Sequence, residues 1–204
     1  MENQQEIATP DKRPYGVRSQ QAICNTTKRI TYTAVLAALA LIMKFVGQFM
    51  TLTPSFKLTL VYTVWLIAGA TLGPLGGGAV CFISDVLGAI IFPTGAINPL
   101  LILGNTLYGV IAALVFRFTP GKAAVKFIAS GIVCTLLCTC LINTAAIWYW
   151  YKYSETLTFL QYFVSFRIMQ PLVALVNIAV TVAMIPLLKR IKLLPTAKAQ
   201  KRSK

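Results

Sequence analysis

The sequence predicts an all-α integral membrane protein with six transmembrane helices, and three observations carry that prediction. Of the 204 residues, 57% are hydrophobic and only 12% are charged, where ordinary globular domains hold about a quarter charged. Mean hydropathy is +0.72. The apolar residues fall in runs of roughly the ~20 residues a helix needs to cross a bilayer, and the runs are broken at Gly73-Pro74, Pro93-Thr94-Gly95 and Pro120-Gly121. Finally, 19 Lys and Arg face only 5 Asp and Glu, and the basic residues sit mainly outside the apolar runs. In a soluble chain that excess would point to nucleic acid, but here it is topology information and no nucleic-acid partner is expected.

Residues 1–28 are polar, with Pro10, Pro14, Lys12, Arg13, Arg18 and Lys28, and read as a basic tail with no cleavable signal. The first helix runs from about Arg29 to Phe49. Its Ala34 and Ala38 form a small-xxx-small face on which another helix can approach closely, within this chain or from a partner. Residues 50–57, with Pro54 and Lys57, read as a loop. A second helix, about Leu58 to Leu72, ends at Gly73-Pro74, and Gly76, Gly77 and Gly78 open a third that reaches about Phe92. Asn98-Pro99 leads into a fourth, ending near Phe116. The fifth runs from about Phe127 to Trp148 and closes on Trp148, Tyr149, Trp150, Tyr151 and Tyr153, the aromatic belt of a membrane interface. The sixth spans about Leu160 to Leu188, so the membrane domain is 29–188 and residues 189–204 are a second basic tail. Six spans put the basic clusters at the N-terminus, around Arg117, Lys122 and Lys126, and at the C-terminus on one side, which the positive-inside rule makes cytoplasmic.

The stretch from Gly69 to Gly109 departs most from a plain lipid-facing pattern. Backbone that leaves the helix inside a membrane must be buried in protein or line a cavity, and an ionisable group at that depth is a functional candidate. Asp85 lies between the two breaks; it can pair with Lys44, Lys57 or a backbone cap, or bind a ligand amino group. Arg167, Gln170 and Asn177 form a polar stripe on the sixth helix by helical spacing. The arginine reads as a carboxylate fork or as a side chain snorkelling to the interface. Asn98 and Asn105 share a face of the fourth helix, and Asn143 lies inward of Trp148; such amides recognise a polar ring or bond between helices.

Other chemistry has little support. The chain has five cysteines and no histidine; Cys134, Cys138 and Cys140 fall in an apolar helix as small hydrophobes, and no metal, cofactor or catalytic residue is expected. No Lys-Ser or Lys-Thr follows the Gly-Pro-Leu-Gly-Gly-Gly run, so it is not a phosphate loop. Hydrolysis would also need a nucleophile and base that the sequence does not offer.

Several motifs together resemble the substrate-binding S components of energy-coupling factor vitamin transporters, most closely the folate group. They are Leu66-Ile67-Ala68-Gly69 with Leu72-Gly73-Pro74, Asp85-Val86-Leu87-Gly88, Phe92-Pro93-Thr94-Gly95, Leu141-Ile142-Asn143-Thr144 and the Arg167 helix, over about Ala34 to Leu188. One departure is that Ala96-Ile97-Asn98 precedes Pro99 where folate members tend to carry aromatic residues. The resemblance implies a six-helix bundle in the bacterial cytoplasmic membrane. It would bind a vitamin beneath its outer loops and dock through Ala34 and Ala38 on a transmembrane coupling subunit driven by two ATPases. The chain itself would not be an enzyme. Residues and resemblance together give the candidate ligand contacts Lys57, Asp85, Phe92, Thr94, Asn98, Asn105, Asn143, Trp148, Arg167 and Gln170. A self-sufficient secondary transporter of an organic anion or another vitamin is the alternative, although no inverted repeat is evident; a membrane-embedded enzyme or scaffold is a further one.

Overall fold

The computed structural model describes residues 15–53, 56–92 and 97–190, with side chains described for 26–50, 58–92 and 97–190. Helices dominate: α1 Tyr15–Phe49, α2 Val61–Ile91, α3 Pro99–Phe118, α4 Ala123–Cys134, α5 Thr144–Trp150, α6 Phe159–Tyr162, α7 Gln170–Ala183 and α8 Ile185–Arg190. Five of the described helical stretches are long and apolar enough to cross a membrane, namely Thr26–Phe49, Val61–Ile91, Pro99–Phe118, Ala123–Trp150 and Gln170–Arg190.

The second of these is not one rod. Gly73 adopts φ 80° and ψ −173°, a conformation that glycine enters without a Cβ clash, and Pro74 follows it with the fixed φ suited to a helix start. The chain reverses there. Trp65 Nε1 donates to Ser84 Oγ at 3.1 Å, whereas residues that far apart in a straight helix would be separated by about 28 Å. Segments 61–72 and 74–91 therefore lie side by side, as the break in the sequence predicts.

Glycine brings these arms together with α3. A Cβ on Gly77 would fall 2.8 Å from Gly69 Cα and 2.9 Å from the Gly109 carbonyl oxygen, and one on Gly69 would fall 3.0 Å from the Ala112 Cβ. Lipid tails are as apolar as leucine, so close packing of small residues, rather than exclusion from water, holds such helices together. On the other side Asn177 of α7 ties to the start of α2. Its Nδ2 donates to Thr59 O at 2.7 Å, and its Oδ1 accepts from the Thr63 backbone N–H at 3.0 Å. Cys134 and Cys138 are buried in the core, as apolar packing predicts.

The structure differs from the sequence expectation in four places. Helix α1 begins at Tyr15, well before the apolar run. Where the sequence reads as a loop, β1 Thr51–Thr53 and β2 Phe56–Lys57 pair as antiparallel strands. The fifth helix contains a wide π-helical segment at Thr135–Asn143, where Thr144 Oγ1 reaches back to Thr139 O at 3.0 Å. The predicted sixth helix is divided into α6, a π turn at Phe163–Arg167, α7 and α8. Pro171 and Pro186 lack the N–H that a continuous helix requires, and each falls at the start of the next segment.

Candidate functional site

A cavity of about 290 Å³ opens at one end of the bundle. Its walls come from the end of α1 (Lys44, Gly47, Gln48), the start of α2 (Val61, Tyr62, Trp65) and the end of α2 (Asp85, Gly88, Ala89). The start of α3 adds Asn98, Leu101, Ile102 and Asn105, and Thr59, Phe92, Ile97 and Tyr151 complete the lining. Antiparallel alternation puts these segment ends together with the β-hairpin and the turn after α5. The opposite end carries Lys28, Arg29, Arg117, Lys122, Lys189 and Arg190, all exposed.

Asp85 is buried and forms an ion pair with Lys44, one of the partners the sequence offers it. A Cβ on Gly88 would fall 2.9 Å from Lys44 Cδ, so the glycine leaves room for the lysine stem to lie across α2. Lys44 Nζ also stands 5.7 Å from the Trp65 ring centroid, within range of a cation–π attraction. The other Asp85 oxygen accepts from Asn105 Nδ2 at 2.9 Å, and Asn105 Oδ1 accepts from Asn143 Nδ2 at 2.7 Å. A line of hydrogen bonds thus runs from α1 through α2 and α3 to the π-helical segment. It ends at Asn143 Oδ1, a buried atom with no partner among the described residues.

The apolar part of the wall is aromatic. Tyr62 meets Trp65 edge-on with centroids 5.3 Å apart, and Tyr108 packs behind both at 5.3 and 5.7 Å. Phe92 stacks on Phe45 at 5.1 Å, near the mouth. Flat faces of this kind suit a planar ring.

Of the sequence-predicted contacts, Asp85, Phe92, Asn98 and Asn105 line the cavity. Asn98 does so with its polar atoms engaged: Oδ1 caps α3 at the Leu100 N–H (3.0 Å) and Leu101 N–H (3.3 Å), and Nδ2 donates to Ala146 O at 3.2 Å. Asn143 stands behind the wall and holds Asn105. Trp148 is directed away, its Nε1 donating to Leu157 O at 2.8 Å. Arg167 and Gln170 are half-buried and outside the cavity lining. Arg167 lies within electrostatic reach of Tyr62 and Cys140. The third member of their stripe, Asn177, is committed to Thr59 and Thr63. Thr94 and the Lys57 side chain lie outside the described residues.

Lining residues that sequence reasoning omits from the contacts include Lys44, Tyr62 and Trp65. A lone acid and a lysine inside neighbouring apolar runs were the available signal for Lys44. No periodicity separates Tyr62 and Trp65 from ordinary core aromatics. Ala34 and Ala38 are exposed on α1, while Ala37 and Ala40 make its inward contacts.

Apolar helices around a polar, aromatic-walled cavity at one end define a multi-pass membrane protein built to hold a small molecule. Residues 28–189 match the family described as ECF transporter, substrate-specific component, and the chain belongs to it. Members of that family are substrate-binding transporter subunits that associate with an ECF module and are not enzymes. Among solved structures, the fold is similar to one titled "Crystal structure of FolT bound with folic acid". The TM-score is 0.61 at 20% identity, covering 76% of this chain and 90% of that one. No curated protein matches the sequence.

Proposed function

We propose that this chain captures folate or a related pterin at the outer face of the bacterial cytoplasmic membrane and delivers it to an ATP-driven coupling module. That module comprises a transmembrane coupling subunit and two ATPases. The observation that carries the reading is the position of the cavity at the end of the bundle opposite the exposed basic residues. By the positive-inside rule the basic end, with both termini, is cytoplasmic and the cavity faces out. In this reading the arms 61–72 and 74–91 cross separately, giving six crossings. The likeness to the fold of a folic-acid-bound protein supports the substrate class.

The test is uptake into proteoliposomes. The purified chain alone is expected to bind folic acid without moving it; accumulation driven by an ion gradient with no ATPase present would favour the secondary-transporter alternative and overturn the proposal.

Docking is assigned to Ala34 and Ala38 because both are exposed, and a close helix crossing admits only small side chains. Replacing both with Trp should abolish uptake by the assembled transporter and leave folic acid binding by the isolated chain intact. Equal loss of both would place this face inside the binding fold instead.

Arg167, assisted by Lys57, is proposed to meet a substrate carboxylate outside the cavity proper. Losing a charged hydrogen bond of about 1.5–3 kcal/mol should weaken folic acid binding roughly ten- to a hundredfold in Arg167→Met, with partial recovery in Arg167→Lys. Unchanged affinity in a folded Arg167→Met protein would make the arginine an interfacial anchor.

A further inference from the structure

The hydrogen-bonding capacity left over in the cavity wall specifies more about the ligand than its general class, and this step rests on the vitamin-binding reading above. Trp65 Nε1 is occupied by Ser84 Oγ, so the tryptophan presents its ring alone. Asn98 spends its Oδ1 on the α3 cap and one Nδ2 hydrogen on Ala146 O, and Thr59 Oγ1 accepts from the Val61 N–H at 3.4 Å. Lys44 and Asp85 retain more. An ammonium has three donors and a carboxylate about four acceptor positions, and their mutual contact with the Asn105 bond uses only part of that capacity.

Two consequences follow from the chemistry of this pair. Among the described lining residues Lys44 and Asp85 are the ionised ones, and their charges cancel. A ligand carboxylate placed there would meet the buried Asp85 as a like charge, which is unfavourable. The pair also sets a donor directly beside an acceptor. Its complement is a ring edge that carries an N–H next to a carbonyl oxygen, as in a cyclic amide.

We infer that Lys44 and Asp85 together are the specificity-determining pair of the site. Asp85 accepts from a ring N–H, Lys44 donates to the adjacent ring carbonyl, and the ring lies against Tyr62 and Trp65. The anionic part of the ligand points outward, toward the loops. The ion pair is thus a reader of the ligand as well as a link between α1 and α2.

Three probes titrated into the purified full chain in detergent test this: folic acid, 6-methylpterin, which has the ring edge without the anionic tail, and 4-aminobenzoyl-L-glutamate, which has the tail without the ring. The wild type should bind 6-methylpterin in competition with folic acid and should not bind the tail fragment. In Lys44→Met/Asp85→Leu, which removes the pair without leaving a buried charge, 6-methylpterin affinity should fall at least about tenfold, the effect of losing one charged hydrogen bond.

Tail binding without ring binding to wild type overturns the inference, as does a folded double variant that retains full 6-methylpterin affinity. The wild-type comparison can overturn the inference even where the variant fails to fold. Folic acid binding without 6-methylpterin binding would sink this inference and leave the proposed function standing; the reverse pattern would keep the ring edge and remove folate as the substrate.

Discussion

Gly77→Leu is expected to prevent assembly of the bundle, giving protein that aggregates on extraction and elutes at the void volume. The position has no room for any side chain, because a Cβ there falls 2.8 Å from Gly69 Cα and 2.9 Å from the Gly109 oxygen. Both obstacles are backbone, so relief requires the arms of α2 or α3 to move apart, which would also pull Trp65 from Ser84. Gly77→Ala is the graded case. Overpacking costs about 1–3 kcal/mol, partly offset by the roughly 1 kcal/mol by which alanine favours helix over glycine, so a lowered melting temperature with retained folding is expected. Leu75→Ala supplies the comparison, since that side chain is 90% exposed. A Gly77→Leu protein that purifies as a monodisperse species with wild-type melting would show that these helices do not approach so closely.

The second large effect concerns Asp85. Asp85→Ala leaves the Lys44 ammonium without its counter-ion and Asn105 Nδ2 without its acceptor. Breaking a fully buried pair typically costs about 3–5 kcal/mol. The Lys44 side chain here is 20% exposed and faces an open cavity, so the smaller figure of about 1–3 kcal/mol for an unsatisfied polar group is expected. Removing both charges in Lys44→Met/Asp85→Leu should recover much of that loss, because apolar replacement of a buried pair is often neutral. Thermal unfolding of the two single variants and the double variant in one detergent measures the coupling. Strictly additive losses would mean that the two groups do not stabilise one another.

Composition, the spacing of apolar runs and the Gly-Pro breaks determine on their own that this is a helical membrane protein. They also determine where its chain turns, because bilayer thickness and the missing proline N–H act locally on any sequence of this kind. The stretch from Gly69 to Gly109 supplies Asp85, Phe92, Asn98 and Asn105 to the cavity wall, while Lys44, Tyr62 and Trp65 come from outside it. The use made of each polar residue is not local. Asn98, Asn105, Asn143 and Asn177 look alike in the sequence, yet one caps α3, one supports Asp85, one stands behind that support and one joins α7 to α2. The cap is local to α3, but Asn98 also reaches Ala146, and the partners that decide the other three roles lie on other segments; the π-helical segment at Thr135–Asn143 further shifts the register that simple 3.6-residue spacing assumes. The sixth helix is interrupted by a π turn at Phe163–Arg167 just before Pro171, and Arg167 lies outside the cavity lining. Tertiary structure also decided that Lys44 is the counter-ion of Asp85, because only the packing of α1 across Gly88 brings the lysine stem into the site.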